Sequence, residues 1–326
     1  MIEEVASGIY KVEIPLPHNP LRFLNSYFIK GSERTLIIDT GFNMTECKEA
    51  MHAALDELHV DLQKTDFFIT HLHADHSGLV ADLTDGSPAS KVYCNETDAG
   101  LINEGILWDY WRSVGDLFRV YGFPQELIEN ALFKHPAKNY CVERVVDFSY
   151  ISDGSCIEIG PYNFICVATP GHSPGHTCLY EPDKKIFFAG DHVLAKITPN
   201  ITQWSEIPDT LAQYFKSLDR IFDMDIDLLL PGHRQIITDH RQRIKELKQH
   251  HKVRLQEILN ILEDGPQTAY QVATKMTWSL SYKCWDEFPI PQKWFANGEA
   301  ASHLEYLSQT GKINILSKDG VYFFHK

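Results

Sequence analysis

Apolar runs separated by polar turns make residues 1–40 read as strands, where Tyr27-Phe28-Ile29 and Leu36-Ile37-Ile38 flank Lys30-Gly31-Ser32-Glu33. That pattern predicts a hairpin. Between Glu46 and His59 the period changes, with Met51, Leu55 and Leu58 at helical spacing. Phe67-Phe68-Ile69-Thr70 is a short apolar strand that runs directly into a histidine cluster. A second strand series occupies 145–192, helical spacing returns at 208–222, and Ile226 to Leu230 is again an apolar run. Strands interleaved with single helices, twice over, predict a layered α/β protein with a mixed sheet.

Two segments depart from this alternation. Residues 97–150 read as mainly helical and are rich in aromatics, among them Trp108, Trp111, Phe118 and Phe123. Lying between strands, they read as an insertion over one edge of the site, a helical pair with its own small core and a surface able to face substrate. The other segment begins near residue 240. Arg241 to Glu263, Thr268 to Met276 and Glu299 to Gln309 have helical patterns, followed by two strands around Lys318-Asp319-Gly320. Helix–helix–helix–hairpin is the order of a winged helix. The domain reading is therefore 1–240 for the main unit, with the insertion at about 97–150, and 241–326 for a small winged-helix-like domain.

Length agrees with that division. At roughly 150 residues per domain, 326 residues suggest one large domain and a smaller one. A chain this long can bury a core without disulfides or structural metal. Seven cysteines without a C-x-x-C pair argue against a disulfide framework and for a cytoplasmic protein. The acidic start predicts no secretory signal, and no apolar stretch is long enough to predict a membrane span.

Four potential metal ligands fall within six positions of Thr70-His71-Leu72-His73-Ala74-Asp75-His76. His71 and His73 can point to one spot from a turning chain, and Asp75 and His76 to a neighbouring one. Later apolar strands end the same way: Gly171-His172 with His176, Gly190-Asp191-His192, and Pro231-Gly232-His233. A strand, then glycine, then His or Asp puts donors at one rim of a rigid sheet.

These motifs, with Ile38-Asp39-Thr40-Gly41, resemble those of the metallo-β-lactamase-fold hydrolases, especially the binuclear glyoxalase II-like and lactamase-β-2-like branch. The resemblance covers residues 1 to about 240 and implies an αββα sandwich. It also implies a first metal on His71, His73 and His172, a second on Asp75, His76 and His233, and Asp191 bridging them. Asp39 matches the family's aspartate behind the ligand loop, and His176 and His192 are placed behind the ligands. The ligand set of nitrogen and oxygen suits two zinc ions and admits iron or manganese. The implied activity is hydrolysis of a thioester, ester or lactone by a metal-bridging hydroxide, with Asp75 orienting the nucleophile. The β-lactamases of the di-zinc type carry cysteine or serine where this chain has Asp191, so antibiotic hydrolysis is not expected. His18 on the first hairpin, Trp108 and Trp111 on the insertion and Asn200 after Asp191 are the candidate substrate contacts.

Charge selects among the alternatives. The net −14 divides into −17 over residues 1–240 and +3 over 241–326. An acidic catalytic unit repels a polyanion, which ranks a phosphodiesterase or endoribonuclease second and a small-molecule substrate first. The basic run of Arg241, Arg243, Lys245, Lys248, Lys252 and Arg254 reads as a solvated helix face, with a weak anchor for an anionic partner as its alternative. A metal-sensing transcription regulator is disfavoured, because Glu299 to Leu307 has two acids and no Lys or Arg for reading bases. A mononuclear iron dioxygenase shares the same ligand types. The C-terminal segment is expected to pack on the catalytic unit, close the pocket or form a homodimer interface.

Overall fold

Seven strands pair in sequence order in the first sheet of the computed structural model, which describes residues 1–279 and 282–326. They are β1 (Ile2–Ala6), β2 (Ile9–Pro15), β3 (Phe23–Lys30), β4 (Thr35–Ile38), β5 (Thr65–Phe68), β6 (Val92–Asn95) and β7 (Ser149–Ile151). The sheet is an antiparallel meander as far as β4 and parallel from β4 to β7. The second sheet contains β8 (Cys156–Ile159), β9 (Tyr162–Ala168), β10 (Thr177–Glu181), β11 (Ile186–Gly190) and β12 (Leu228–Pro231), antiparallel except for β11 with β12. A hairpin of β13 (Asn314–Lys318) and β14 (Val321–His325) ends the chain.

Parallel pairs need crossovers, and helices supply them. α1 (Thr45–Glu57) joins β4 to β5, and α2 (Ala74–Ser77) with α3 (Val80–Leu83) joins β5 to β6. The insertion between β6 and β7 contains α4 (Glu96–Glu104), α5 (Trp108–Val120), α6 (Gln125–Phe133) and α7 (Pro136–Asn139). α8 (Thr210–Phe222) returns the chain to β12, and α9 (His240–Ile261), α10 (Ala269–Lys275) and α11 (Ile290–Gln309) follow.

Period two along the strands sets the layering. Leu36 and Ile38 of β4, Phe68 of β5, Phe188 of β11 and Leu230 of β12 meet between the sheets. Their neighbours Ile37 and Phe67 face the other way, toward α1, while Phe187 and Leu229 face α8 and α9. The result is helix, sheet, sheet, helix. Burial on both faces explains why the strands read as continuous apolar runs. Phe67, Phe68, Phe187 and Phe188 have no exposed surface, and each burial stabilises the fold by roughly 1.5–3 kcal/mol.

The insertion does not close its own core. Trp111, Phe118, Phe123, Ile128 and Leu132 pack together, but Trp294 of α11 completes the cluster and stacks on Phe118 at 3.6 Å and 8°. The segment after residue 240 likewise shares a core with the second sheet: Ala300, Leu304 and Leu307 pack in one cluster with Phe187, Leu211 and Leu218. α11 starts at Ile290, well before the Glu299 that spacing predicts, because Pro289 and Pro291 sit where proline initiates rather than breaks a helix. Among the described residues, no helix is long and apolar enough to cross a membrane.

Candidate metal centre

The carboxyl ends of β5, β9, β11 and β12 lie at one rim of the two sheets, and the chain turns there on glycine. Gly190 has φ +46°, and a Cβ on it would lie 2.8 Å from both His176 Nε2 and Thr70 Oγ1. A Cβ on Gly232 would lie 2.7 Å from Asp191 Oδ1 and from His76 Cε1. Side chains at these two positions would fill the space where the donors gather.

Three overlapping groups converge, each with its donor atoms within 4.8 Å of one another: His71, His73 and His172; His71, His76 and Asp191; and Asp75, His76 and His233. His73 Nδ1 lies 3.0 Å from both His71 Nε2 and His172 Nε2. His76 Nε2 lies 3.3 Å from His233 Nε2, and His233 Nε2 3.3 Å from Asp75 Oδ2. Asp191 stands between the groups, with Oδ1 3.5 Å from His76 Nε2 and Oδ2 3.7 Å from His172 Nε2 and 3.5 Å from His233 Nε2.

The far sides of the rings fix which nitrogen carries a proton. His172 Nδ1–H donates to Asn200 O at 2.8 Å, and His233 Nδ1–H donates to Phe23 O at 2.7 Å. His76 Nδ1–H donates to Asp39 Oδ2 at 2.7 Å. Thr70 gives its hydroxyl proton to Asp39 Oδ2 at 2.8 Å, so its oxygen accepts from His71 Nδ1 at 3.0 Å. The inward Nε2 atoms of His71 and His172, both held neutral by burial, are then lone pairs. Both lie 3.0 Å from His73 Nδ1, where a single proton satisfies only one of them, so a lone pair is left facing nitrogen unless a cation lies among the three; Asp191 Oδ1 is also buried without a hydrogen-bond partner. The donor set fits divalent ions.

Electrostatics divides the centre in two. Burial and the surrounding imidazoles push His71 well below its ordinary pKa and His73 down to about 3. Burial also lowers His172. At the other group, burial would raise the Asp75 carboxyl, but His76 and His233 outweigh it and hold it at about 2. The same two histidines hold Asp191 below the usual carboxylate range against its burial. In return Asp39, Asp191 and Asp75 raise His76 despite burial. Neutral imidazoles thus surround one point and ionised carboxylates the other.

The remaining predicted residues separate. Asp39, at φ +58°, also accepts from Thr70 N at 2.9 Å, so it sits behind the loop that carries His71 to His76. His176 accepts from Asp191 N at 3.1 Å and stacks on His71 at 5.0 Å. His192 stands one ring further back: its ring lies 6.1 Å from that of His176 and packs edge-on to Tyr214 at 5.3 Å, and its nitrogens have no hydrogen-bond partner. Of the substrate candidates, Asn200 is joined to the centre through His172, whereas His18 occupies an exposed turn between β2 and β3. Trp108 is exposed under the Lys138 ammonium at 4.1 Å. Trp111 is 5% exposed and donates its indole N–H to Gly105 O, which makes it a core residue of the insertion rather than a surface for substrate.

Two residues of the site escape sequence reasoning. Asp98 of α4 is fully buried and accepts from Leu72 N at 2.9 Å, Ser173 Oγ at 2.5 Å and Gly175 N at 2.6 Å. Burial pushes its carboxyl up to about 6 against these donors. Trp204 donates its indole N–H to His172 O at 3.2 Å and holds its ring 6.4 Å from that of His73. An acid in a first helical turn reads as a partner of the helix dipole, and an isolated tryptophan carries no spacing signal.

A family model described as the metallo-β-lactamase superfamily matches residues 20–233. The lactamase-like protein aptB of Emericella nidulans is 26% identical over 75% of this chain, which spans 62% of that relative's length. The human acyl-coenzyme A thioesterase MBLAC2 is 24% identical over 64% of this chain and 72% of its own. The crystal structure of a metallo-β-lactamase family protein from Thermus thermophilus superposes with a TM-score of 0.83 at 27% identity, covering 99% of this chain and 100% of that one. The family match contains all the converging histidines and aspartates, and the chain belongs to the metallo-β-lactamase superfamily.

Proposed function

We propose that this protein is a metal-dependent hydrolase that cleaves a thioester, ester or lactone bond in a small molecule. The observation that carries the reading is the pair of converging donor groups with the unpartnered Asp191 Oδ1 between them. His71, His73 and His172 would hold one divalent ion, Asp75, His76 and His233 a second, and Asp191 both. Zinc suits this nitrogen and oxygen set, and iron or manganese is also compatible with it. Bound ions would supply a water acidified to near neutrality and a Lewis acid for the acyl oxygen.

The chain's own groups supply orientation. Asp75 is ionised and has 12% of its side chain exposed, so it is able to accept a hydrogen bond from the attacking water and hold its lone pair toward the substrate. Asp39, Thr70, Phe23 O and Asn200 O keep the ring nitrogens turned inward. The acyl-coenzyme A thioesterase among the relatives supports an acyl substrate. The insertion has five basic residues against eight acidic ones between 98 and 147, which favours an acyl carrier without a polyphosphate tail.

The basic run on α9 supports a small substrate over nucleic acid. Arg241 donates to Phe222 O and Met224 O, Arg243 to Leu194 O and Ile197 O, and Arg254 to Thr277 O and Glu299. Half of the expected anionic anchor therefore holds the fold together. The test is a substrate panel on metal-stripped and zinc-reconstituted protein. Reconstituted protein should hydrolyse acyl thioesters or lactones and stripped protein should not. Salt-sensitive cleavage of single-stranded RNA, with no turnover of acyl substrates, would sink the reading.

A further inference from the structure

We infer that Glu299, in the segment after residue 240, is a positioning residue for His172 and acts through Asn200. The inference rests on the proposed role of His172 as a metal ligand and extends it: the C-terminal segment completes the metal centre.

The direction of the His172 ring depends on one acceptor, Asn200 O. That carbonyl belongs to the irregular stretch between β11 and α8, and its position is only as definite as whatever holds the stretch. The C-terminal helices hold it. Arg243 of α9 donates from Nε to Leu194 O at 2.7 Å and from Nη2 to Ile197 O at 2.8 Å. Asn200 itself donates from Nδ2 to Glu299 Oε2 at 3.2 Å. One turn further along α11, Ser302 Oγ donates to Ile201 O at 2.5 Å. A Cβ on Gly298 would lie 2.0 Å from Thr202 Oγ1, and Gln203 N donates to Gly298 O at 3.3 Å, so α11 and the stretch are in direct contact.

Glu299 is in turn fixed. It is 8% exposed, and Arg254 donates to its Oε1 at 3.2 Å. Arg254 lies over the Trp278 ring at 4.2 Å and donates to Thr277 O. A buried carboxylate held by a guanidinium at one oxygen and accepting an amide at the other is a stiff anchor. A continuous path therefore runs from Arg254 through Glu299 and Asn200 to His172 Nδ1.

Site selectivity makes the inference testable. His71, His76 and His233 donate their outward hydrogen bonds to Thr70, Asp39 and Phe23, all in the first half of the chain. Among the described residues, only the His172 side of the centre is tied to the C-terminal segment in this way. Loosening Glu299 should weaken the ion at His71, His73 and His172 and leave the one at Asp75, His76 and His233 unaffected.

The experiment uses the full-length chain, with zinc affinity measured by competition against a chromophoric chelator. In Glu299→Ala, one of the two zinc ions should bind up to roughly 10-fold more weakly and the other unchanged, the low end of the effect of losing an outer partner of a ligating histidine, because Asn200 O itself remains. Glu299→Gln, which keeps one acceptor for Asn200 but turns an amide N–H toward Arg254, should recover part of the loss. Asn200→Ala, which keeps the carbonyl but removes the tether, should reproduce the selective loss if Glu299→Ala fails to fold. Two wild-type sites whose affinities are unchanged in folded variants, or fall together, would overturn the inference alone. A wild-type chain that takes up neither zinc, iron nor manganese would overturn the proposed function and this inference with it.

Discussion

Asp98 ties the loop bearing His71 and His73 to the loop bearing His172, since it accepts from Leu72 on one side and from Ser173 and Gly175 on the other. Asp98→Asn replaces one acceptor oxygen by a donor that faces buried N–H or O–H groups. Each such group left unsatisfied costs about 1–3 kcal/mol. The expected outcome is lower stability in urea unfolding and roughly ten-fold weaker zinc binding. A variant with unchanged zinc affinity would show that the two loops hold their places without this carboxylate. At this scale the sequence is informative where chemistry is dense and silent where it is shared. His71 to His76 stand out because four donors follow one apolar strand. Asp98 does not, because its partners come from two other loops and appear only when the chain is folded. Aromatic identity also misleads: it marks Trp111 as apolar surface but cannot show that Gly105 O takes its indole N–H.

Elements were legible in proportion to their periodicity. The hairpin around residues 30–35, the helix after β4 and the helices at 210–222 and 240–261 agree with their spacing within a few residues. α11 was half legible, since Pro291 and Gly298 resemble helix breakers. The first lies where an unpaired backbone N–H is not missed, and the second allows the close approach to Thr202. Which elements touch was harder to foresee. Trp294 completes the core of an insertion that lies far away in the sequence, and only the folded topology brings Phe118 and Trp294 face to face. The four strand ends that carry the centre were foreseen one by one. Their convergence at one rim follows from the layering of two sheets, which period-two alternation encodes only in part.

For the whole molecule, the division of charge noted in the sequence has a structural counterpart, because Arg241 and Arg243 of the basic segment donate to the carbonyls of Phe222, Met224, Leu194 and Ile197 in the acidic part of the chain. The interface also contains a titratable pair. His303 Nδ1–H donates to Glu299 O at 2.7 Å, and His303 Nε2 lies 3.0 Å from His251 Nδ1. Burial, aided by Arg254, pushes His303 down to about 4, and burial beside His303 holds His251 well below its ordinary value. An unfolded histidine titrates near 6.5, so the unfolded chain binds the extra proton first as pH falls. The stability contributed by neutral His303 is thus fully present above about pH 6.5 and is lost as pH falls toward 4, to the extent of about 3 kcal/mol. In His303→Gln, urea unfolding followed by tryptophan fluorescence should show a flatter acid limb by about that amount; an unchanged limb would place the acid sensitivity elsewhere. The central claim is that two divalent ions share one hydrolytic centre. Its most direct test is a zinc titration of the metal-free chain, with bound metal counted by elemental analysis and hydrolysis of an acyl thioester followed in the same samples. Activity should rise until two equivalents are bound and then level off, whereas full activity at one equivalent, or uptake of a single iron with oxygen consumption, would contradict it.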